Sequence, residues 1–293
     1  MPRLSVLMPV RNGGTTLRVA VRSTLRALPR DAELVIYDDC SDDSAINDLP
    51  SDNHLRVVRG GKPAGVARGL NTLLSSIDSP LVARMDADDL SLPWRFNHEL
   101  RALDNADVVF TTVVHFGSRL SQTRPTPPVQ IAPGVFPLRL LVANPVAHST
   151  MLGRTDHIRR VGGYRSVPSE DYDLWLRLAA MGTRLMRLAL PSLMYRIHPG
   201  QVTATGDWLT KAAADEHIVG SYTALARKHL GVDPDWYPAL RAARRGRHLS
   251  DADSKPLMRF QEAIEASSRH LSRADARALN AKCRAIVGRA LHR

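Results

Sequence analysis

"LVARMDADDLSLPWRF", residues 81–96, is an apolar run that stops on three carboxylates crowded around one alanine. The apolar lead reads as a buried strand, the acids as its sharp end, and a helix is expected from near Ser91. Like charges at this spacing repel, and each raises the others' pKa. The chain as a whole is basic, with 40 Lys+Arg against 29 Asp+Glu and a formal net charge of +11. The cluster of Asp86, Asp88 and Asp89 is therefore either a solvated turn or the seat of a cation that the sequence does not supply.

Working outward, the first half alternates strand and helix. "LSVLMPV" (4–10) is a short apolar strand ended by "RNGG", and "TTLRVAVRSTLRAL" (15–28) has helical spacing. "AELVIYDD" (32–39), "LRVVRG" (55–60) and "PLVARMD" (80–86) are further strands, with a helix over "GVARGLNTLLSSI" (65–77). Strands separated by helices imply right-handed crossovers, hence an α/β fold with a mostly parallel central sheet flanked by helices. Ligands in such sheets bind beyond the carboxyl ends of the strands. Asn12, the pair Asp38 and Asp39, and the Asp86–Asp89 cluster all follow strands, so they should converge on one edge.

The middle is less regular: a strand at "DVVFTTVVHFG" (107–117), a Pro-rich loop at "QTRPTPPVQIAPG" (122–134), and "FPLRLLVANPVAHSTMLGR" (136–154) leading into another strand. "SEDYDLWLRLAAMG" (169–182) reads as a helix, with Ser169 to cap it, acids in the first turn where the helix dipole favours them, and Gly182 past its end. Beyond about residue 205 the pattern is helical and basic, broken at Pro234 and Pro238. The expected organisation is a catalytic domain over 1–205 and a basic helical extension over 206–293.

At 293 residues, 44% hydrophobic and 24% charged, the chain has the composition of a globular protein with a sizeable core. No apolar stretch approaches the ~20 residues that cross a bilayer, and the N-terminus lacks the features of a signal peptide. Cys40 and Cys283 show neither disulfide nor metal-ligand spacing. These features predict a cytoplasmic protein. Aromatics at 5%, rarely placed among the positive charges, argue against a base-stacking nucleic-acid platform. An anionic membrane leaflet suits the basic surface better, at about 1 kcal/mol per well-placed Lys or Arg, and "RAARRGR" (241–247) is the densest run.

The acids fit a definite chemistry. Mg²⁺ takes one or two carboxylates plus phosphate oxygens rather than a full protein cage. "YDDCSDDS" (37–44) supplies a second acidic strand end able to accept hydrogen bonds from a base or ribose; "KPAGVARGLN" (62–71) supplies Gly65 for close approach, and Lys62 and Arg68 for phosphate. Taken one at a time, each also fits an ordinary turn or a solvated helix face.

In order along the chain, "SVLMPVRNGGTTLRVAVRSTL", "ELVIYDDCSDDS", "GKPAGVARGLN", "ARMDADDLSLPWRF" and "GGYRSVPSEDYDLWLRL" resemble the family 2 glycosyltransferases, which adopt the nucleotide-diphospho-sugar transferase (GT-A) fold; the likeness covers roughly residues 3–205. The resemblance implies that Pro9, Val10, Asp38 and Asp39 line a nucleoside pocket, with Arg11, Asn12, Lys62, Gly65, Arg68, Asp86 and Ala87 in the same nucleotide-binding set. Asp86 and Asp88 would be the D-x-D that holds Mn²⁺ or Mg²⁺ against the diphosphate, with His198 of "YRIHPGQVT" (195–203) as a further ligand. Asp171 of "SEDYD" would be the catalytic base, with Glu170 beside it, and His148 an acceptor-side position. Arg11 stands where many relatives have an aromatic residue, and Cys40 where a glycine is common. The Q-x-x-R-W motif of processive relatives is absent, so one sugar per encounter is expected.

The implied activity is metal-dependent, inverting transfer of one sugar from a UDP- or dTDP-sugar to a glycan or polyprenyl-linked acceptor, with the basic extension docked at the inner membrane face. Two rivals are a sugar-1-phosphate nucleotidyltransferase, for which "RNGGTTLR" lacks the lysine a triphosphate loop needs, and a non-catalytic basic binding module.

Overall fold

The computed structural model describes residues 1–201, 211–212, 215–244 and 251–291. Its strands are β1 (Leu4–Val10), β2 (Ala32–Asp38), β3 (Leu55–Arg59), β4 (Leu81–Arg84), β5 (Leu90–Ser91), β6 (Val108–Phe116), β7 (Arg124–Pro125), β8 (Leu152–Arg154) and β9 (Leu185–Arg196). Its helices are α1 (Gly14–Ala27), α2 (Val66–Ser75), α3 (Arg95–Ala102), α4 (Phe136–Val142), α5 (Thr155–Arg160), α6 (Glu170–Ala180), α7 (Glu216–Leu230), α8 (Tyr237–Arg244), α9 (Asp251–Ser267) and α10 (Arg273–Leu291).

The chain divides into two compact units. The first comprises Met1–Gln130, Val146–Ser166 and Thr183–Ala204 and holds one sheet in the order β3-β2-β1-β4-β8-β6-β9-β5, with β7 on β6. β3, β2, β1 and β4 are mutually parallel, β8 runs antiparallel between β4 and β6, and β9 is parallel to β6. The sheet is thus mostly but not wholly parallel. Its central strands read as unbroken apolar runs because both faces are covered: Val6, Leu7, Met8, Leu34, Val35, Ile36, Val82 and Ala83 are all buried. Helix α1 contributes Leu17, Ala20 and Val21 to one side of this core, and α2 buries Leu70, Leu73 and Leu74. The register sets Val10, Asp38 and Arg59 in one row at the carboxyl ends of three adjacent strands.

Local expectations near the acidic turn change in one respect. Leu90–Ser91 pair with β9 as a two-residue strand, and the helix begins only at Arg95. Pro93 explains the delay, because the residue before a proline is driven out of the helical region.

The second unit comprises Ile131–Pro145, Val167–Gly182 and Thr205–Arg293. It gathers α4 and α6 with the C-terminal helices α7–α10, so segments 131–145 and 167–182 belong by compactness with the extension that the sequence set apart from residue 206. Its core includes Trp175, Tyr222, Trp236, Leu240, Phe260, Leu279 and Cys283. Burial pushes the Cys283 thiol up to about 12, which makes it an inert core residue. Ser169 stands at the start of α6, but its side chain does not cap the helix; the acids Glu170, Asp171 and Asp173 fill the first turn. Pro238 lies in the first turn of α8, where a missing N–H costs nothing, so it starts a helix rather than breaking one. Of "RAARRGR", Arg245 to Arg247 lie outside the described residues. Arg244 is half-buried and bonded to backbone carbonyls, and Arg241 lies over the Tyr237 ring at 5.0 Å. This dense run is therefore not simply a surface patch.

Candidate active site

At the sheet edge where β1, β2 and β3 end, short polar side chains knit the loops together. Asn12 has φ +55°, a left-handed conformation that asparagine tolerates better than most residues. Its backbone N–H donates to Ser41 Oγ at 2.9 Å, and its Oδ1 accepts from the Asp42 amide at 2.7 Å. The Gly14 amide donates to Asp43 Oδ2 at 2.8 Å. Asp38 Oδ1 accepts from the Ser41 amide at 2.9 Å, closing the turn after β2. Cys40 also takes a left-handed φ of +56° and donates its thiol to Gly60 O.

Asp39 has a role that motif reading did not foresee. Its two oxygens accept from the amides of Ala64 and Gly65 at 2.7 and 2.8 Å, tying the end of β2 to the loop that opens α2. Gly65 is at φ +83°, a region that only glycine enters freely. A Cβ on Gly69 would lie 2.8 Å from the Tyr37 ring, so α2 packs closely on β2. Lys62 and Arg68 are exposed on this loop and the first turn of α2, while Val10 is buried in the core and Pro9 half-buried beside it.

The D-A-D-D turn follows β4, and its positive partners come partly from the chain itself. Buried Arg84 donates through Nη2 to Asp86 Oδ1 at 2.6 Å and through Nη1 to the Met85 carbonyl. Beneath it, fully buried Arg95 donates to Arg84 O at 2.7 Å and pairs with fully buried Glu99 at 3.3 Å. Desolvation lifts Glu99 to about 7 although Arg95 opposes the shift. Asp89 is buried and accepts from Ser149 Oγ and the Arg196 amide at 2.9 and 2.8 Å. Burial and the Asp86 charge hold its carboxyl well above the usual range, and its two hydrogen bonds tie the turn to β9 and to the segment before β8.

Asp88 points elsewhere. Its Oδ2 meets His198 Nε2 at 2.9 Å, and both side chains are about a third exposed. The end of β9 clamps this arrangement: Arg196 Nε donates to Asp88 O at 2.7 Å, its guanidinium covers the Phe116 ring, and Gln201 Nε2 donates to Arg196 O. Val202 and Thr203 of the same stretch lie outside the described residues. The structure therefore brings together Asp88 and His198, 110 residues apart, with Asp86 on the same turn. Among the described residues no three His, Cys, Asp or Glu side chains form a ready-made cage. The Asp86 and Asp88 carboxylates, both reaching solvent, are the donor type that Mn²⁺ or Mg²⁺ takes alongside phosphate oxygens and water, and the His198 imidazole would be a further, nitrogen donor. Asp86 would have to share its carboxylate between that ion and Arg84.

His148 lies in the first unit, its Nε2 3.0 Å from Tyr164 Oη. Desolvation and the Arg84 charge hold it well below the usual imidazole range, so it is neutral. Asn71 carries Tyr164 from both ends of its amide, accepting from Tyr164 N and donating to Tyr164 O.

In the second unit, Asp171 sits in the first turn of α6, and its Oδ2 accepts from Asn144 Nδ2 at 3.0 Å. Asp173, two residues on and fully buried, accepts from Ser221 Oγ at 2.7 Å and from Arg177 at 2.8 Å. Glu170 begins the helix.

Sequence reasoning missed Arg84, the Arg95–Glu99 pair and Asn144. The i,i+4 spacing of Arg95 and Glu99 was a usable signal. Nothing local marked Asn144, whose partner is 27 residues away.

The acidic turn and the glycine-opened start of α2 both lie at the carboxyl ends of parallel strands, where ligands bind in open α/β sheets. A family model described as "Glycosyl transferase family 2" matches residues 5–159, just over half of the chain, and the chain belongs to that family. It is a glycosyltransferase with the GT-A fold. EpsE of Bacillus subtilis (strain 168), designated a glycosyltransferase, is 30% identical over 62% of this chain and 69% of its own length. The UDP-Glc:alpha-D-GlcNAc-diphosphoundecaprenol beta-1,3-glucosyltransferase WfaP of Escherichia coli is 23% identical over 70% and 81%. Among solved structures, S. aureus TarS 1-349 in complex with UDP-GlcNAc superposes with a TM-score of 0.61 at 15% identity, over 98% of this chain and 91% of that one. No helix among the described residues is long and apolar enough to cross a membrane.

Proposed function

We propose that this glycosyltransferase transfers one sugar, with inversion, from a UDP- or dTDP-sugar to a glycan or polyprenyl-linked acceptor in cell-surface polysaccharide synthesis. The observation that carries the donor half is the Asp88–His198 pair, with Asp86 on the same turn, at the carboxyl edge of the sheet. The names of WfaP and of the TarS complex support a UDP-linked donor, and that of WfaP a diphospholipid acceptor.

The residues divide the work as follows. The loops knitted by Asn12, Asp38 and Asp39 bind and orient the nucleoside, and Lys62 and Arg68 offer positive charge to its phosphates. Asp88, Asp86 and His198 would hold Mn²⁺ or Mg²⁺, which when bound offsets the charge growing on the leaving diphosphate by several kcal/mol. The acceptor hydroxyl oxygen bonds to the anomeric carbon as the bond from that carbon to the diphosphate oxygen breaks, and the nucleoside diphosphate leaves with the electron pair. The hydroxyl proton passes to the Asp171 carboxylate, with Glu170 beside it. A positioned base of this kind is worth about 10²–10⁴ in rate. Attack on the face away from the leaving group inverts the anomeric centre.

On α10, Arg273, Arg277, Lys282, Arg284 and Arg289 are exposed while Leu279, Cys283, Ile286 and Val287 face the core. This amphipathic, basic helix supports peripheral docking on an anionic leaflet, where a polyprenyl-linked acceptor would be presented. The testing experiment is nucleoside diphosphate release from a panel of UDP- and dTDP-sugars with Mn²⁺, followed by NMR of the product's anomeric configuration. Release that Asp88→Ala abolishes, with inversion, is expected; release unaffected by that change, or a retained configuration, contradicts the reading.

A further inference from the structure

The second unit contains a polar network that neither the nucleotide chemistry nor membrane docking uses. Helix α4 ends on three carbonyls that its own backbone leaves open, as every helix end does. All three are taken by side chains from elsewhere in that unit. Tyr172 Oη of α6 donates to Leu140 O at 2.7 Å. Tyr222 Oη of α7 donates to Leu141 O at 3.0 Å. Arg244, the last residue of α8, donates through Nη2 to Leu141 O at 2.7 Å and through Nε to Val142 O at 2.8 Å. Burial raises the pKa of both tyrosines, with Arg244 opposing, so each phenol keeps the proton it donates. Tyr222 is itself fixed, stacked on Tyr237 at 3.9 Å between centroids and accepting from Trp236 Nε1.

The chain then turns extended at Ala143, whose amide returns to Arg139 O, and the next side chain is Asn144, donating to Asp171 Oδ2 at 3.0 Å. Asp171 is steadied from its own helix as well. Asp173, also in the first turn of α6, is anchored to α7 by Ser221, so the α6 start cannot shift without breaking a buried charged hydrogen bond. One chain of contacts from the C-terminal helices thus ends on the Asp171 carboxylate through Asn144, and a second, through Ser221, ends on Asp173 in the same first turn of α6.

We propose that Asn144 is a positioning residue that orients the Asp171 carboxylate, and that Tyr222 and Arg244 of the C-terminal helices hold the α4 terminus that presents it. The C-terminal helices are then part of the machinery that aims the base, whatever they also do at a membrane. This inference rests on the reading of Asp171 as the base.

The test compares Asn144→Ala, Tyr222→Phe and Asp171→Asn in the full chain, using whichever sugar nucleotide of the panel gives the most nucleoside diphosphate release with Mn²⁺. A misplacement of about 1 Å costs up to ~10²-fold in rate. Asn144→Ala is expected to lower kcat by about tenfold or more with the donor KM unchanged, and Tyr222→Phe, which deletes one hydroxyl, to lower kcat less, again at constant KM. If Asp171→Asn abolishes turnover while both other variants stay within twofold of wild type, the positioning inference is overturned and the base reading stands. Should Asp171→Asn keep wild-type turnover, the base reading itself fails and takes the inference with it. A change in KM matching the change in kcat, or an Asn144→Ala chain that does not fold beside a Tyr222→Phe enzyme of normal kcat, also counts against it.

Discussion

The two units hold their key acids in opposite ways. In the first, Asp86 and Asp88 sit on a turn with about a third of each side chain exposed, steadied by Arg84 two residues upstream and by a clamp at the end of β9. In the second, Asp171 rides a helix steadied from other segments: exposed Asn144, 27 residues before it, donates to its carboxylate, and buried Asp173 two residues on is tied to Ser221 of α7. The first arrangement leaves lone pairs facing solvent, as suits groups that must take up a cation and phosphates. The second fixes one carboxylate in place, as suits a group that must receive a proton from a single direction.

The largest expected effects separate these roles. Asp88→Ala should lower kcat by about 10³-fold or more, since several kcal/mol of charge stabilisation are lost and each ~1.4 kcal/mol is tenfold. Asp171→Asn should cost about 10²–10⁴. Steady-state nucleoside diphosphate release measures both, and a wild-type rate from either variant breaks the comparison on that side.

Next in size is Arg84→Met. Breaking the bond to Asp86 leaves that carboxylate without its cation, at an expected cost of about 2 kcal/mol after allowance for the partial exposure of Asp86. That corresponds to a fall in Tm of roughly 4 °C for a chain of this size. Differential scanning calorimetry should also show Mn²⁺ restoring part of the loss; an unchanged Tm would mean that Arg84 does not hold the turn. Ser221→Ala tests the other unit on the same scale. It removes a hydrogen bond to a buried carboxylate, about 1.5 kcal/mol by urea unfolding, and an effect near zero would show that α6 is not anchored through Asp173.

The smallest effect is a slope with pH. Glu99 has a folded-state pKa of about 7 against an unfolded value of 4.5. A raised value means that the folded form holds its proton more tightly, so this stabilising contribution is complete below about 4.5 and is lost as pH rises through about 7. Glu99→Gln cannot lose it. The Tm of the variant should gain on that of the wild type between pH 5 and 8, and a difference that shrinks over that range would contradict the assignment.

How much of this was legible follows the same division. The parallel strands and the acids at their ends could be read directly, because alternating apolar runs and turn residues are local signals, and D-A-D-D lies within four residues. His198 was tied to Asp88 only through family resemblance, since no spacing rule links residues 110 apart. Asp39 was read as facing the nucleoside, whereas its oxygens go to the Ala64 and Gly65 amides, and a backbone partner leaves no mark in sequence. The antiparallel β8 inside the sheet and the grouping of α4 and α6 with the C-terminal helices are outcomes of long-range packing that periodicity does not encode.

The central claim is that the Asp88 corner takes up a divalent cation together with a nucleoside diphosphate. Thermal shift with UDP and dTDP, with and without Mn²⁺, tests it most directly, because a ligand at 100 times its Kd stabilises the folded state by about 2.7 kcal/mol. The account predicts a rise in Tm that needs both nucleotide and metal, is lost in Asp88→Ala and survives in Asp171→Asn. No response to either nucleotide with Mn²⁺, or an undiminished response in Asp88→Ala, would contradict it.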